Sequence, residues 1–169
     1  MPLLIDGHNL IGSSQLPGIS LADENDELKL VRLLRRYRSR VRSDITVVFD
    51  AGVPGGRSRG LSGGGVEVVF APSRKQRADD VIAARVRRAT NPRGLTVVTS
   101  DHDLADMVRS HGARVVPSAE FAAQLIAPLP ATRRLREEPP LSSQEVEEWL
   151  DFFGEEETNR SRRRQRRGT

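Results

Sequence analysis

The feature that most constrains this chain is an alternation of short runs of Val, Ile and Leu with longer stretches that carry apolar residues at helical spacing. The runs fall at residues 3–5, 45–49, 66–70, 95–99 and 113–116. They are apolar on both faces, as strands must be when helices cover both sides of a parallel sheet. Between the first two, Leu30, Leu34, Tyr37 and Val41 mark one face of a helix whose other faces carry Arg32, Arg35, Arg36, Arg38, Arg40 and Arg42. Further helical faces are marked by Ile82, Val86 and Ala89, by Leu104, Met107, Val108 and His111, and by Phe121, Ala122, Leu125 and Ile126. Strand and helix alternate, which predicts an α/β fold with a mostly parallel sheet and right-handed crossovers.

The alternation stops after Ile126. Pro128, Pro130, Pro139 and Pro140 frame a charged stretch, so the expected organisation is a domain over residues 1–127 and a Pro-rich linker over 128–141. Ser142, Ser143, Gln144 and Glu145 form a capping-box pattern, and Val146, Trp149, Leu150 and Phe153 follow on one helical face. This predicts an amphipathic helix over 142–153 that packs on the domain or takes a protein partner around Trp149. Residues 154–169 form a charged tail with six Arg in its last ten positions, a composition expected to be disordered.

Composition narrows the chemistry. The absence of Cys excludes disulfides, thiolate metal sites and a Cys nucleophile, and fits a reducing compartment. No apolar run approaches the roughly 18 residues that cross a bilayer, and the N-terminus lacks the pattern of a signal peptide, so the expected location is the cytoplasm. Residues 1–126 hold 18 basic and 14 acidic side chains, and 25 of the chain's 27 basic residues are Arg. Arg suits bidentate phosphate contacts, although codon preference alone produces the same bias.

The acids lie where ligands bind in such folds. Asp6 follows the first predicted strand, Asp50 the second, and Asp101 and Asp103 the fourth after Ser100. In a parallel sheet these ends share one edge. Asp79 and Asp80 begin a helix, and the ~100° step between neighbours turns Asp79 towards the apolar face and Asp80 towards solvent, where a first-turn acid favours the helix dipole. Converging carboxylates repel, and a divalent cation removes the conflict. Oxygen ligands alone suit Mg²⁺ or Mn²⁺, ions that activate water and stabilise a leaving oxygen in phosphodiester hydrolysis. Asn9, three residues after Asp6, can orient a carboxylate, a water or a phosphate, or simply close a turn; Ser100 can bind phosphate, position Asp101 or cap the next helix. His8 and His102 flank acids and read as supporting groups rather than general bases.

Residues 52–65 contain seven Gly with Arg57 and Arg59, and no Gly-Lys-Ser/Thr ending, so an ATP-binding loop is not supported. A mobile loop is expected there. Arg57, Arg59, Arg74, Lys75 and Arg77 are candidates for backbone contact with RNA, or for solvated surface. Aromatic residues make up only 4% of the chain, which disfavours a base-stacking platform. Two readings compete at this point, a metal-dependent phosphodiester hydrolase and a noncatalytic module that binds a phosphate backbone and whose acids only cap helices; a small-molecule phosphohydrolase lacks its Asp-x-Asp-x-Thr signature.

The segments at 4–12 (LIDGHNLIG), 47–51 (VVFDA), 66–70 (VEVVF), 78–82 (ADDVI) and 97–103 (VVTSDHD) occur in the order, and with the residues, of the YacP-like branch of the NYN domain family, which the chain resembles over about residues 3–126. The resemblance implies a PIN-like three-layer α/β/α sandwich and an endoribonuclease dependent on Mg²⁺ or Mn²⁺. It places metal-binding acids at Asp6, Asp79 and Asp101, with Asn9, Asp50, Asp80 and Asp103 nearby; Asp103 is a further candidate metal ligand, and the alternative is a noncatalytic RNA- or ribosome-binding module with the same fold. It also implies RNA, single-stranded or messenger, as substrate, and links the chain to ribosomes. His8 departs from the Tyr of many relatives, which bears on local stacking more than on metal binding. The Trp149 helix and the Arg-rich tail are expected to lie outside the resemblance.

Overall fold

In the computed structural model, residues 1–50, 55–72 and 77–128 are described; the linker beyond Pro128, the helix expected around Trp149, the charged tail, Arg74 and Lys75 lie outside them. The strands are β1 (Leu3–Asp6), β2 (Ile45–Phe49), β3 (Gly56–Arg57), β4 (Val66–Phe70), β5 (Thr96–Val98) and β6 (Arg114–Val116). The helices are α1 (Gly7–Gly12), α2 (Asp26–Val41), α3 (Ala78–Arg88), α4 (His102–Ser110) and α5 (Ser118–Ile126). Residues Met1–Ala127 form one compact unit.

The sheet order is β3-β4-β2-β1-β5-β6. All pairs are parallel except β3 with β4. Alternate side chains of each strand enter opposite layers, as a period of two demands. Ile5, Ile45, Val47, Phe49, Val66, Val68 and Val98 pack with Leu10 of α1, Leu30 and Leu34 of α2, and Phe121 and Leu125 of α5. Leu4, Val48, Val69 and Val97 pack on the other side with Ile82 and Val86 of α3 and Leu104 and Val108 of α4. The result is a three-layer α/β/α sandwich. Each of these side chains removes apolar area worth about 1.5–3 kcal/mol from water, which explains why Val and Ile fill both faces of the inner strands.

Two elements differ from the sequence expectation. The Gly-rich stretch read as a mobile loop contains β3, which adds an antiparallel edge through Gly56 opposite Phe70 and Arg57 opposite Val69. Asn9, read as able to close a turn, lies instead in α1, which starts at Gly7. A Cβ at Gly7 would overlap the Phe49 ring, so only glycine lets this helix leave β1 so close to the end of β2. A two-residue strand and a six-residue helix are too short to show a period of their own.

Candidate active site

β1 sits between β2 and β5, so the chain runs outward from β1 to β2 and β4, then crosses back to β5 and β6. This is the switch point of the sheet, where the loops after neighbouring strands part and leave a crevice. A cleft of about 190 Å³ opens there, lined by Asp6, His8, Asn9, Asp50, Arg77, Asp79 and Asp101. Four carboxylates from four chain segments therefore face one space.

Three of the four are held by backbone donors. The N–H of Asn9 donates to Asp6 Oδ1 at 3.2 Å, capping α1. The N–H of Ala78 donates to Asp50 Oδ1 at 2.8 Å, tying the start of α3 to the end of β2. The N–H of Leu104 donates to Asp101 Oδ1 at 2.8 Å, capping α4. In each case one oxygen fixes the side chain; the second oxygen of Asp50 lies 3.6 Å from His8 Nδ1. Asp79, in the first turn of α3, lies 3.7 Å from Nε of the exposed Arg77.

Asp6 is 8% exposed, and burial raises its pKa to about 6, with added repulsion from Asp50 and Asp79 and opposition from the Asn9 N–H. A carboxylate under this strain favours any cation placed beside it.

Other expected site residues fall elsewhere. Asp80 is exposed, and its Oδ2 accepts the Arg77 N–H at 3.1 Å, a helix cap. Asp103 is an exposed first-turn acid of α4 and does not line the cleft. Arg57 and Arg59 are exposed on the β3 edge and the turn that follows, away from the cleft lining. His111, read as continuing an apolar stripe, is exposed and caps α4. Ser100 is not the cap of α4, a position taken by Asp101; its Oγ accepts the Ser118 N–H at 2.9 Å.

Sequence reasoning missed Asp26 and Glu27. They begin α2, and a first-turn Asp-Glu pair before a helical pattern was the available signal. Among the described residues, His8, Asp26 and Glu27 are the group of His and acid side chains whose candidate ligand atoms all lie within 4.8 Å of one another. His8 Nε2 stands 3.5 Å from Glu27 Oε1, while its Nδ1 accepts the Asp50 N–H at 3.2 Å. The backbone donor selects the neutral ring with its proton on Nε2. The Glu27 hydrogen bond pulls the other way, raising the His8 pKa and lowering that of Glu27. Protonation of His8 would offset one charge of the Asp26–Glu27 pair. The four-Asp array has only the exposed Arg77 among its lining residues as a permanent cation, so its unbalanced charge fits a metal better.

The model of the YacP-like NYN domain family matches residues 3–162. The match runs past residue 126, through the Pro-rich linker and the Trp149 segment, so the expectation that these lie outside the resemblance is corrected; charged, Pro-rich sequence carries too little pattern to show it by motif. The crystal structure of Rae1 (YacP) from Bacillus subtilis is similar at 24% identity and a TM-score of 0.57, covering 99% of this chain and 95% of that one. A tryptophan-to-leucine variant of the same protein is 25% identical with a TM-score of 0.56, over 73% of this chain and 74% of that one. No curated protein matches.

Proposed function

Because the chain belongs to the YacP-like NYN domain family, a family of nuclease type, we propose that it is a divalent-metal-dependent endoribonuclease acting on single-stranded RNA. The observation that carries this reading is the meeting of Asp6, Asp50, Asp79 and Asp101 in one cleft at the sheet's switch point. Asp6, Asp79 and Asp101 would hold Mg²⁺ or Mn²⁺, which would supply a water of lowered pKa and a Lewis acid for the phosphate oxygen.

The chain's own residues do the rest. Arg77, at the rim, attracts the phosphate and offsets its charge. Asp50 keeps the start of α3 in place, so that Asp79 faces the cleft. The unpaired lone pairs of the acids orient the attacking water towards phosphorus. Attack by the water oxygen forms one P–O bond as the water gives up a proton to solvent, the bond to the leaving ribose oxygen breaks, and that oxygen takes a proton from solvent. Arg57 and Arg59 give a second, weaker contact to the RNA backbone along the sheet edge. A ribosome is a fitting place for such a chain to meet messenger RNA, in keeping with the family resemblance, and the cytoplasm is the fitting compartment. Among the described residues no helix is long and apolar enough to cross a membrane.

The test is cleavage of end-labelled single-stranded RNA and matched DNA by purified full-length chain with Mn²⁺, Mg²⁺ or EDTA. RNA cuts that need the metal are expected. Salt-sensitive RNA binding without cleavage, unchanged by EDTA, would instead indicate a binding module.

A further inference from the structure

We propose that Ser118, at the start of α5, is a positioning residue that fixes the carboxamide of Asn9 so that its NH₂ group faces the reacting phosphate. The inference rests on the nuclease reading above and names a part of that site which no cleft-lining motif contains.

The geometry decides which way the Asn9 amide points. Its side-chain oxygen meets the backbone N–H of Ser100 at 2.8 Å. A backbone N–H can only donate, so the atom facing it must be the oxygen. The same oxygen accepts the hydroxyl of Ser118 at 2.7 Å. Ser118 is fully buried, and its backbone N–H in turn donates to Ser100 Oγ at 2.9 Å. Two donors thus hold one oxygen, and three segments, the start of α1, the loop after β5 and the start of α5, meet in a single hydrogen-bonded clamp.

With the oxygen taken, the nitrogen lies on the opposite side of the carboxamide. Asn9 lines the cleft, and among the described residues its NH₂ makes no hydrogen bond. A polar group oriented by two donors, with two N–H bonds left to give, is a preorganised donor pair for a nonbridging phosphate oxygen. Deleting the Ser118 hydroxyl leaves one donor on Asn9 Oδ1 and lets the amide rotate about its χ2 axis, which is broad and roughly two-fold in the absence of partners. The fold would survive, because the Ser100 N–H and the backbone link from Ser118 to Ser100 remain.

The experiment is a double-mutant cycle with Ser118→Ala and Asn9→Ala, measured as single-turnover RNA cleavage by full-length protein. Ser118→Ala is expected to lower kcat roughly ten- to a hundredfold with KM within about twofold, the pattern of a misplaced transition-state contact. In the Asn9→Ala background the same change is expected to cost nothing further. Losses that multiply instead would assign Ser118 to general stability and overturn the proposal. Asn9→Asp keeps an oxygen that can accept from both donors and lacks the NH₂, so it should fold and fail to cleave; retained cleavage would also overturn it. The clamp is read separately from activity in the ¹⁵N spectrum of metal-free protein, where the Asn9 side-chain NH₂ signals should move in Ser118→Ala. Unmoved signals would reject the clamp, whereas moved signals in a protein that cleaves nothing would reject the nuclease reading and leave the clamp standing.

Discussion

The Asp50 carboxylate accepts the backbone N–H of Ala78 at 2.8 Å across 28 residues of chain, so the acid at the end of β2 sets the position of the acid that follows Ala78. Asp50→Ala is expected to destabilise the fold by about 1–2 kcal/mol, the cost of losing a charge-assisted cap-like bond. It should also lower cleavage, because Asp79 loses its register. Asp50→Asn keeps a carbonyl acceptor and should recover most of the stability. Urea unfolding of both variants beside the wild type checks this; equal stability of Asp50→Ala and wild type would disprove the tether.

Asp79→Asn is nearly isosteric and removes one negative charge from the cleft. Cleavage should fall below detection while RNA binding stays the same or tightens. Filter binding and cleavage on the same RNA measure both, and full activity in the variant would remove Asp79 from the reaction.

Asp6 makes the fold sensitive to pH in an unusual direction for an acid. Its pKa rises from 3.8 to about 6 on folding, so the folded state binds the proton more tightly than the unfolded chain. Its contribution is neutral below pH 3.8, becomes unfavourable as pH rises through the interval to about 6, and stays so above it. Two units correspond to about 3 kcal/mol. Asp6→Asn should therefore stabilise the metal-free protein by up to about 3 kcal/mol at pH 7.5, and by almost nothing at pH 3.5. It should also abolish cleavage. Thermal unfolding in EDTA at both values tests the sign; stabilisation that is independent of pH would contradict it.

Gly7→Ala places a methyl group in the Phe49 ring. The expected cost is about 1–3 kcal/mol, from overpacking in a closed core. Gly7→Ala with Phe49→Leu should recover part of it. Denaturant titration of the single and double variants decides whether ring and helix compete for one space.

The alternation of apolar runs made the sheet and its two helical layers legible, because Val47 and Val48 already display the two-sided burial that the layers impose. Asp6, Asp50 and Asp101 were readable as strand-end acids, and Asp79 from its angle on the helix. The same angle already turned Asp80 to solvent, whereas Asp103 looks equivalent to Asp101 in sequence, and only its exposed position sets it apart. The pairings of Glu27 and Ser118 were invisible for another reason. Their partners, His8 and Asn9, lie 19 and 109 residues away, and no local pattern connects residues that meet only through tertiary structure.

The order β4-β2-β1-β5 also dictates when the cleft can exist during synthesis. Asp6, Asp50 and Asp79 all leave the ribosome before β5, yet the fourth acid has no seat until Thr96–Val98 pairs alongside β1. A chain stalled short of that strand carries three of the acids and half of the crevice, without the Ser100 and Asp101 wall. On the nuclease reading, the wall that completes the cleft is present only once the sheet is extended on its second side.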